Sequence, residues 1–355
     1  MTKRALAPAS TDGGNQSAAR TAQTPLSLLN RRQVLLSTAA AAAGIHGTVH
    51  GQTSTAWIKD RPLRLVVAFS AGSSADMFAR TLSNELSTLL GTTVVVENKP
   101  GAGGSLATAT IASGPPDGHS ILIQSSAHSV NPSIYQKLPY DTAKDLSGVA
   151  ALGWQPYVLV SAPSKKYTSV KNLVERTKAN PNQTNYASGG LGSSTHLNGA
   201  LFVWATGVDT LHIPAKGTSE ALLETMTGRV DWYFSPLSVA VPRIKEGSLQ
   251  ALALGSKDRS PALPNTPSMT EAGFPDAAFS GWTGAFVSSK TPRDRVEQLH
   301  AAFTQVLAMP AVKAKLETFG VTPMNISTAQ FDSFIVEDIR ANAKLVKLAQ
   351  IKPGQ

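Results

Sequence analysis

From Arg61 to Leu254 the hydrophobic and polar positions repeat one arrangement: a short apolar run, a loop rich in glycine and hydroxyls, then a helical spacing of apolar residues. Arg64–Phe69 is a continuous apolar run of strand length, as expected of a strand covered on both faces. The spacing after it predicts a helix capped by Asp76 and running to about Leu90, with Phe78, Leu82, Leu86 and Leu89 on one side and Gly91 closing it. Thr93–Val96 reads as the next strand, Asn98–Gly104 as a turn into a short helix ending near Gly114, and Ser120–Ile123 as a third strand. Strands and helices alternating in this way predict a mostly parallel α/β sheet.

A second set follows Tyr157–Ser161. Ser169 caps a predicted helix to Ala179, Asn185–Ser188 is a strand, and a Gly/Ser loop leads to a helix from Thr195 to Thr206. Leu211–Ile213, a helix from Thr218 to Thr227, Trp232–Phe234 and Ala251–Leu254 complete this unit. Two aromatic, glycine-containing strands, around Gly153–Leu159 and Gly281–Val287, resemble one another and read as crossings between the units. Two crossings imply a discontinuous first domain and a two-strand hinge. The C-terminal part then supplies two helices: one starting at Thr291 and Pro292, with Val296, Leu299, Phe303 and Val306 inward, and one with Ser327 and Gln330 as a capping box.

Composition narrows the class. Apolar residues at 42% and charged residues at 15% describe a globular chain, and cysteine is absent, which excludes disulfides and thiolate metal sites. Ahead of the first strand, Asn30-Arg-Arg-Gln-Val-Leu-Leu36 runs into the Ala-rich stretch Ser37–Gly44. This predicts an export leader of the twin-arginine type over residues 1–56, too short in its apolar part to anchor in a bilayer. The leader holds five basic side chains and one acidic, so without it the net charge falls from +9 to +5. No Lys/Arg run with interleaved aromatics remains, and nucleic acid is not an expected partner.

Three loops carry the candidate chemistry: Ser70–Asp76, Ser188–Thr195 and Pro214–Thr218. Each sets unpaired backbone N–H groups at a helix start, where the dipole favours an anion. Neither a nucleophile elbow, a Walker loop nor a zinc-protease motif accompanies them. His119, His128, His196, His212 and His300 lack metal-ligand spacing and read as structural histidines. Lys216 reads either as a partner for a ligand carboxylate or as a solvated loop lysine. Trp232, Tyr233 and Phe234 read either as cavity lining or as strand core. Anion cradles without catalytic groups point first to a receptor.

Ordered blocks then match a known family: Arg64–Gly72 with Asp76–Arg80, Val95–Gly104, Asn131-Pro132, Lys137–Asp141, Gly192–Leu197, His212–Gly217, Arg259–Pro264 and Glu271–Phe274. From about Arg61 to Ile351 the chain resembles the Bug-type periplasmic solute receptors of tripartite tricarboxylate transporters. The resemblance implies a two-domain Venus flytrap of the periplasmic binding protein kind, with mixed, mostly parallel sheets joined by a two-strand hinge. Its domains are expected at 57–157 with 279–355, and at 158–278. It implies no enzymatic activity, no cofactor or metal, a small carboxylate as ligand, membrane transporter subunits as partners, and a monomer. The carried-over ligand residues are Ser70, Ala71, Gly72, Ser73, Ser74 and Asp76 in the first loop, and Ser125, Ser126 and His128 after the third strand. From the second domain come Ser188, Gly189, Ser193, Ser194, His196, Lys216 and Gly217.

Departures from the family pattern bear on the ligand. Ser73 and Ser74 stand where glycine is usual, Ala215 replaces the usual tyrosine, and Ser235-Pro236 replaces Asp-Asn. The last removes a partner for an ammonium group, so a plain mono- or dicarboxylate is favoured over an amino acid, and the space lost at position 215 leaves an aromatic acid as an alternative. The rival functions are a ligand-binding sensor that reports to a signalling protein, and an α/β enzyme acting on a carboxylate.

Overall fold

The computed structural model describes residues 56–352, so the predicted leader, Ala56 apart, lies outside the described residues. A short helix α1 (Ala56–Lys59) precedes β1 (Leu63–Val67) and α2 (Ser74–Leu90). β2 (Val94–Asn98), α3 (Ser105–Ser113), β3 (Ser120–Ser125) and α4 (Ala127–Ile134) follow. β1 pairs in parallel with both β2 and β3. A 16-residue strand, β4 (Leu146–Ser161), then leads away to α5 (Val170–Ala179), β5 (Asn185–Ser188), α6 (Ser194–Thr206) and β6 (Leu211–Pro214). After these come α7 (Thr218–Met226), β7 (Trp232–Pro236), α8 (Leu237–Lys245) and β8 (Gln250–Leu254). The chain returns as β9 (Ser280–Ser288) and ends in α9 (Arg293–Ala308), α10 (Pro310–Thr318) and α11 (Thr328–Leu348).

The strand order β2-β1-β3-β9-β4-β7-β5-β6, with β8 also on β4, places two parallel trios at the ends of an antiparallel centre. β4 makes the junction within one residue step. Its ladder with β9 ends at Pro156↔Ser280, and its ladder with β7 begins at Tyr157↔Pro236. Sheet and helices on one side of this junction form the first lobe, and those on the other the second.

α3, the strands and the capping box stand close to where the residue pattern predicts them. The cap of α2 differs: Ser73, not Asp76, is the N-cap, its Oγ accepting the Asp76 N–H. α4 and α8 carry Pro132 and Pro242 inside them, and α10 starts on Pro310 directly after α9. Trp232, Tyr233 and Phe234 resolve to strand core, fully buried, with Tyr233 on the opposite sheet face from its two neighbours. Among the described residues no helix is long and apolar enough to cross a membrane.

α11 is seated on the β4–β9 ladder. Its capping box is complete, Asp332 accepts the Gly148 N–H at 2.7 Å, and Trp282 Nε1 donates to Asp338 at 2.9 Å. The Phe331 ring lies over two glycines: a Cβ on either Gly148 or Gly284 would come within 2.5 Å of it. At its far end Val346 enters the core of the second lobe. Overpacking of this kind costs about 1–3 kcal/mol. Gly284→Ala is therefore expected to lower unfolding stability by about that amount, read as the urea midpoint at unchanged slope.

His128, on α4, is fully buried against Phe286 at 4.4 Å, and neither ring nitrogen has a hydrogen-bond partner. Burial pushes its pKa down to about 3. The folded protein thus holds it neutral while the unfolded chain takes up a proton near pH 6.5. Its contribution is complete above pH 6.5 and is lost as pH falls towards 3, at about 1.4 kcal/mol per pH unit. His128→Phe should flatten the fall in stability between pH 6.5 and 5 by about 2 kcal/mol. A variant with the wild-type pH slope would contradict this.

Candidate functional site

Two turns of the same design face each other from the two lobes. After β1, Gly72 takes φ +76°, Ser73 donates its N–H to the Ser70 carbonyl at 3.1 Å, and its Oγ caps α2. After β5, Gly192 takes φ +74°, Ser193 donates its N–H to the Gly190 carbonyl at 3.2 Å, and its Oγ caps α6 by accepting the His196 N–H. Both turns read Gly-Ser-Ser, at 72–74 and 192–194. The glycine permits the left-handed backbone, the first serine caps, and the second opens the helix. The first-turn amides of Ser74, Ala75, Ser194 and Thr195 have no acceptor within their helices, and the two dipoles present their positive ends.

Between the turns lies a cavity of about 30 Å³, lined by Ser73, Ser74, Ala75, Ser125, Ser193, Ser194 and Thr195, with Phe69, Gln155, Tyr157, Thr218 and Pro236. Hydroxyls join the lobes across it. Ser126 and Ser194 share a hydrogen bond at 2.8 Å. Ser74 donates to Gln155 Oε1 at 2.5 Å, and Gln155 Nε2 donates to Ser238 at 2.6 Å. At the margins Ser219 donates to the Ala71 carbonyl at 3.1 Å and Tyr135 to the Leu191 carbonyl at 2.9 Å. Ser70 Oγ and Thr218 Oγ1 are buried with no hydrogen-bond partner. Gly217 is held against Ser70, where a Cβ would lie 2.6 Å from the hydroxyl.

Ser73, Ser74, Ser125, Ser126, Ser193 and Ser194 thus come together, with Ser70 and Gly217 in contact beside them. Gly72 belongs to the first turn and Ala71 to the margin, while the remaining candidates go elsewhere. Asp76 turns back to accept from Gly72 N–H, Arg80 Nε and Asn98 Nδ2, each at 2.9 Å. Burial alone would raise its carboxyl, but these bonds and the Arg80 charge hold it below the ordinary range. This carboxylate stiffens the loop. His128 is the core residue described above. His196 stacks on His212 at 4.3 Å beside a separate cavity of about 220 Å³. Burial lowers the His196 pKa to about 4. Burial, and then its neighbour, lowers that of His212 to about 3. Ser188 Oγ is committed to His212 Nε2 at 2.7 Å. Gly189 and Lys216 line a third cavity, of about 590 Å³, on the far side of Phe69.

Gln155, Tyr157, Thr195 and Thr218 line the small cavity without having been singled out in the sequence. Gln155 carried a usable signal, a polar side chain in the middle of an otherwise apolar crossing strand. Strand alternation directs it into the cavity and turns Trp154 to the opposite face, where it is 38% exposed.

Known proteins of this architecture carry the comparison further. A sequence model described as the tripartite tricarboxylate transporter family receptor matches residues 78–351. BugT of Bordetella pertussis is 33% identical over 309 residues, 86% of this chain and 94% of that one. A solved R. palustris protein with adipate superposes with a TM-score of 0.80 at 29% identity, covering 83% of this chain and 99% of that one. MatC from Rhodopseudomonas palustris, with bound malate, gives 0.78 at 28% identity, covering 81% and 99%. The chain belongs to the family of tripartite tricarboxylate transporter receptors.

Proposed function

We propose that the protein is an extracytoplasmic receptor that closes its two lobes over a small carboxylate and presents it to a membrane transporter of the tripartite tricarboxylate type. The observation that carries this reading is the pair of Gly-Ser-Ser turns, whose free first-turn amides and serine hydroxyls converge from opposite lobes on one small cavity. Amides at two helix N-termini are suited to a carboxylate and need no arginine. Adipate and malate in the related R. palustris proteins support an organic acid as cargo. The partner change of β4 between Pro156 and Tyr157 supports domains at 57–157 with 279–355 and at 158–278.

Ser74→Ala and Ser194→Ala should each weaken carboxylate binding by about 1.5–3 kcal/mol, roughly 10- to 100-fold, in calorimetric titrations with adipate and malate. Unchanged affinities in both variants would remove the two turns from the site. The twin-arginine leader has its own test. Exchange of Arg31 and Arg32 for lysine together should retain the protein inside the cell, read by periplasmic fractionation of the host. Undiminished periplasmic protein would exclude that route.

A further inference from the structure

We infer that the ligand is a carboxylate with an apolar body of at least aromatic-ring size, its carboxylate held between the two Gly-Ser-Ser turns and its body in the chamber beyond Phe69. This rests on the receptor reading above and specifies its ligand.

The first premise is size. A cavity of about 30 Å³ exceeds the 10–15 Å³ that one water needs, but it cannot contain more than the head of an organic acid. The chamber beside it, at about 590 Å³, falls in the range of small-molecule sites and well above the roughly 150 Å³ that takes a benzene ring. Phe69 lines both spaces.

The second premise is the chemistry of the walls. Phe69, Pro100, Tyr135, Leu191, Pro214 and Ala215 give the chamber an apolar lining. Glycines make up much of the rest, so flat stretches of backbone face the space. Several backbone donors of the wall are already committed. Gly104 N–H donates to the Gly101 carbonyl, Gly189 N–H to Thr195 Oγ1, and Gly190 N–H to Ser188 Oγ. Ala215 N–H donates to the Ser188 carbonyl, and Lys216 N–H to Glu220. The Tyr135 hydroxyl is held by the Leu191 carbonyl. The Lys216 ammonium makes no ion pair among the described residues and sits on an exposed residue of the lining. A cation in water there attracts anions to the mouth but holds a second carboxylate weakly. An apolar body uses the walls of Phe69, Pro100, Tyr135, Leu191, Pro214 and Ala215.

Ala215 is a small side chain on this wall and lies outside both Gly-Ser-Ser turns, so enlarging it fills the chamber. Titrations of the purified protein with acetate, adipate and 3-phenylpropanoate are expected to show the phenyl acid binding at least tenfold tighter than either of the others. Ala215→Trp should weaken the phenyl acid at least tenfold and leave acetate within twofold. Ala215→Leu, a milder filling, should give a smaller loss in the same order if the tryptophan variant does not fold. Equal affinities for acetate and the phenyl acid, or unchanged phenyl-acid binding in a folded filled variant, would overturn the inference while leaving the receptor reading in place. Tighter binding of adipate, abolished by Lys216→Ala, would overturn it in favour of a second carboxylate at the rim. If none of the three acids bound while malate did, this inference alone would fail; if malate failed as well, the receptor reading would fall with it.

Discussion

Two helix N-termini, each equivalent to about half a positive charge, are held facing one another across the cleft. Positive ends brought together in a poorly hydrated space are unfavourable unless lone pairs or negative charge stand between them. The structure answers with neutral oxygen: Ser73 and Ser193 cap, Ser126 and Ser194 pair, and Gln155 accepts from Ser74. The carboxylate of the first turn, Asp76, is turned outward and compensated by Arg80, so its charge is not spent on the cavity. Glycine at 72 and 192, serine in the two positions after it, and a glutamine in an apolar strand all follow from this one requirement.

Much of that was legible in the residues. Apolar runs bounded by Gly/Ser loops located the strands, and Gly91, Gly207 and the Ser327–Gln330 box located helix ends, because these signals act within a few residues of one another. The site was legible as loops rather than as side chains. Asp76 looked like a cap, yet the adjacent Ser73 reaches the amide and releases the carboxylate to Gly72, Arg80 and Asn98. His128 and His196 lie close to Ser126 and Ser194 in sequence, but their rings sit against Phe286 and against His212 beside a separate cavity. Whether a residue on the first helical turn faces the cleft or the core depends on how the lobes pack, which no local pattern contains. Thr218 and Tyr157 were hidden for the same reason.

The last helix ties these local features together. α11 rests Phe331 on the glycines of the β4–β9 ladder, fixes Gly148 through Asp332 and Trp282 through Asp338, and sends Val346 into the core of the other lobe. A rotation between the lobes must therefore be accommodated along a helix that contacts both. The chain passes between the lobes in β4, at Pro156 and Tyr157, and again ahead of β9, and α11 braces this junction from one side.

The return of the chain to the first lobe also dictates an order of assembly. β3 acquires its neighbour β9 only across about 160 intervening residues, with Leu122 opposite Phe286. β5, β6 and β7 and their helices, by contrast, close on partners within one contiguous stretch. Closing a long loop costs entropy before any contact repays it, and non-local pairing is slow. During synthesis the first lobe stays open at β3, an unpaired strand edge, until β9 arrives in the final quarter of the chain and pairs with it.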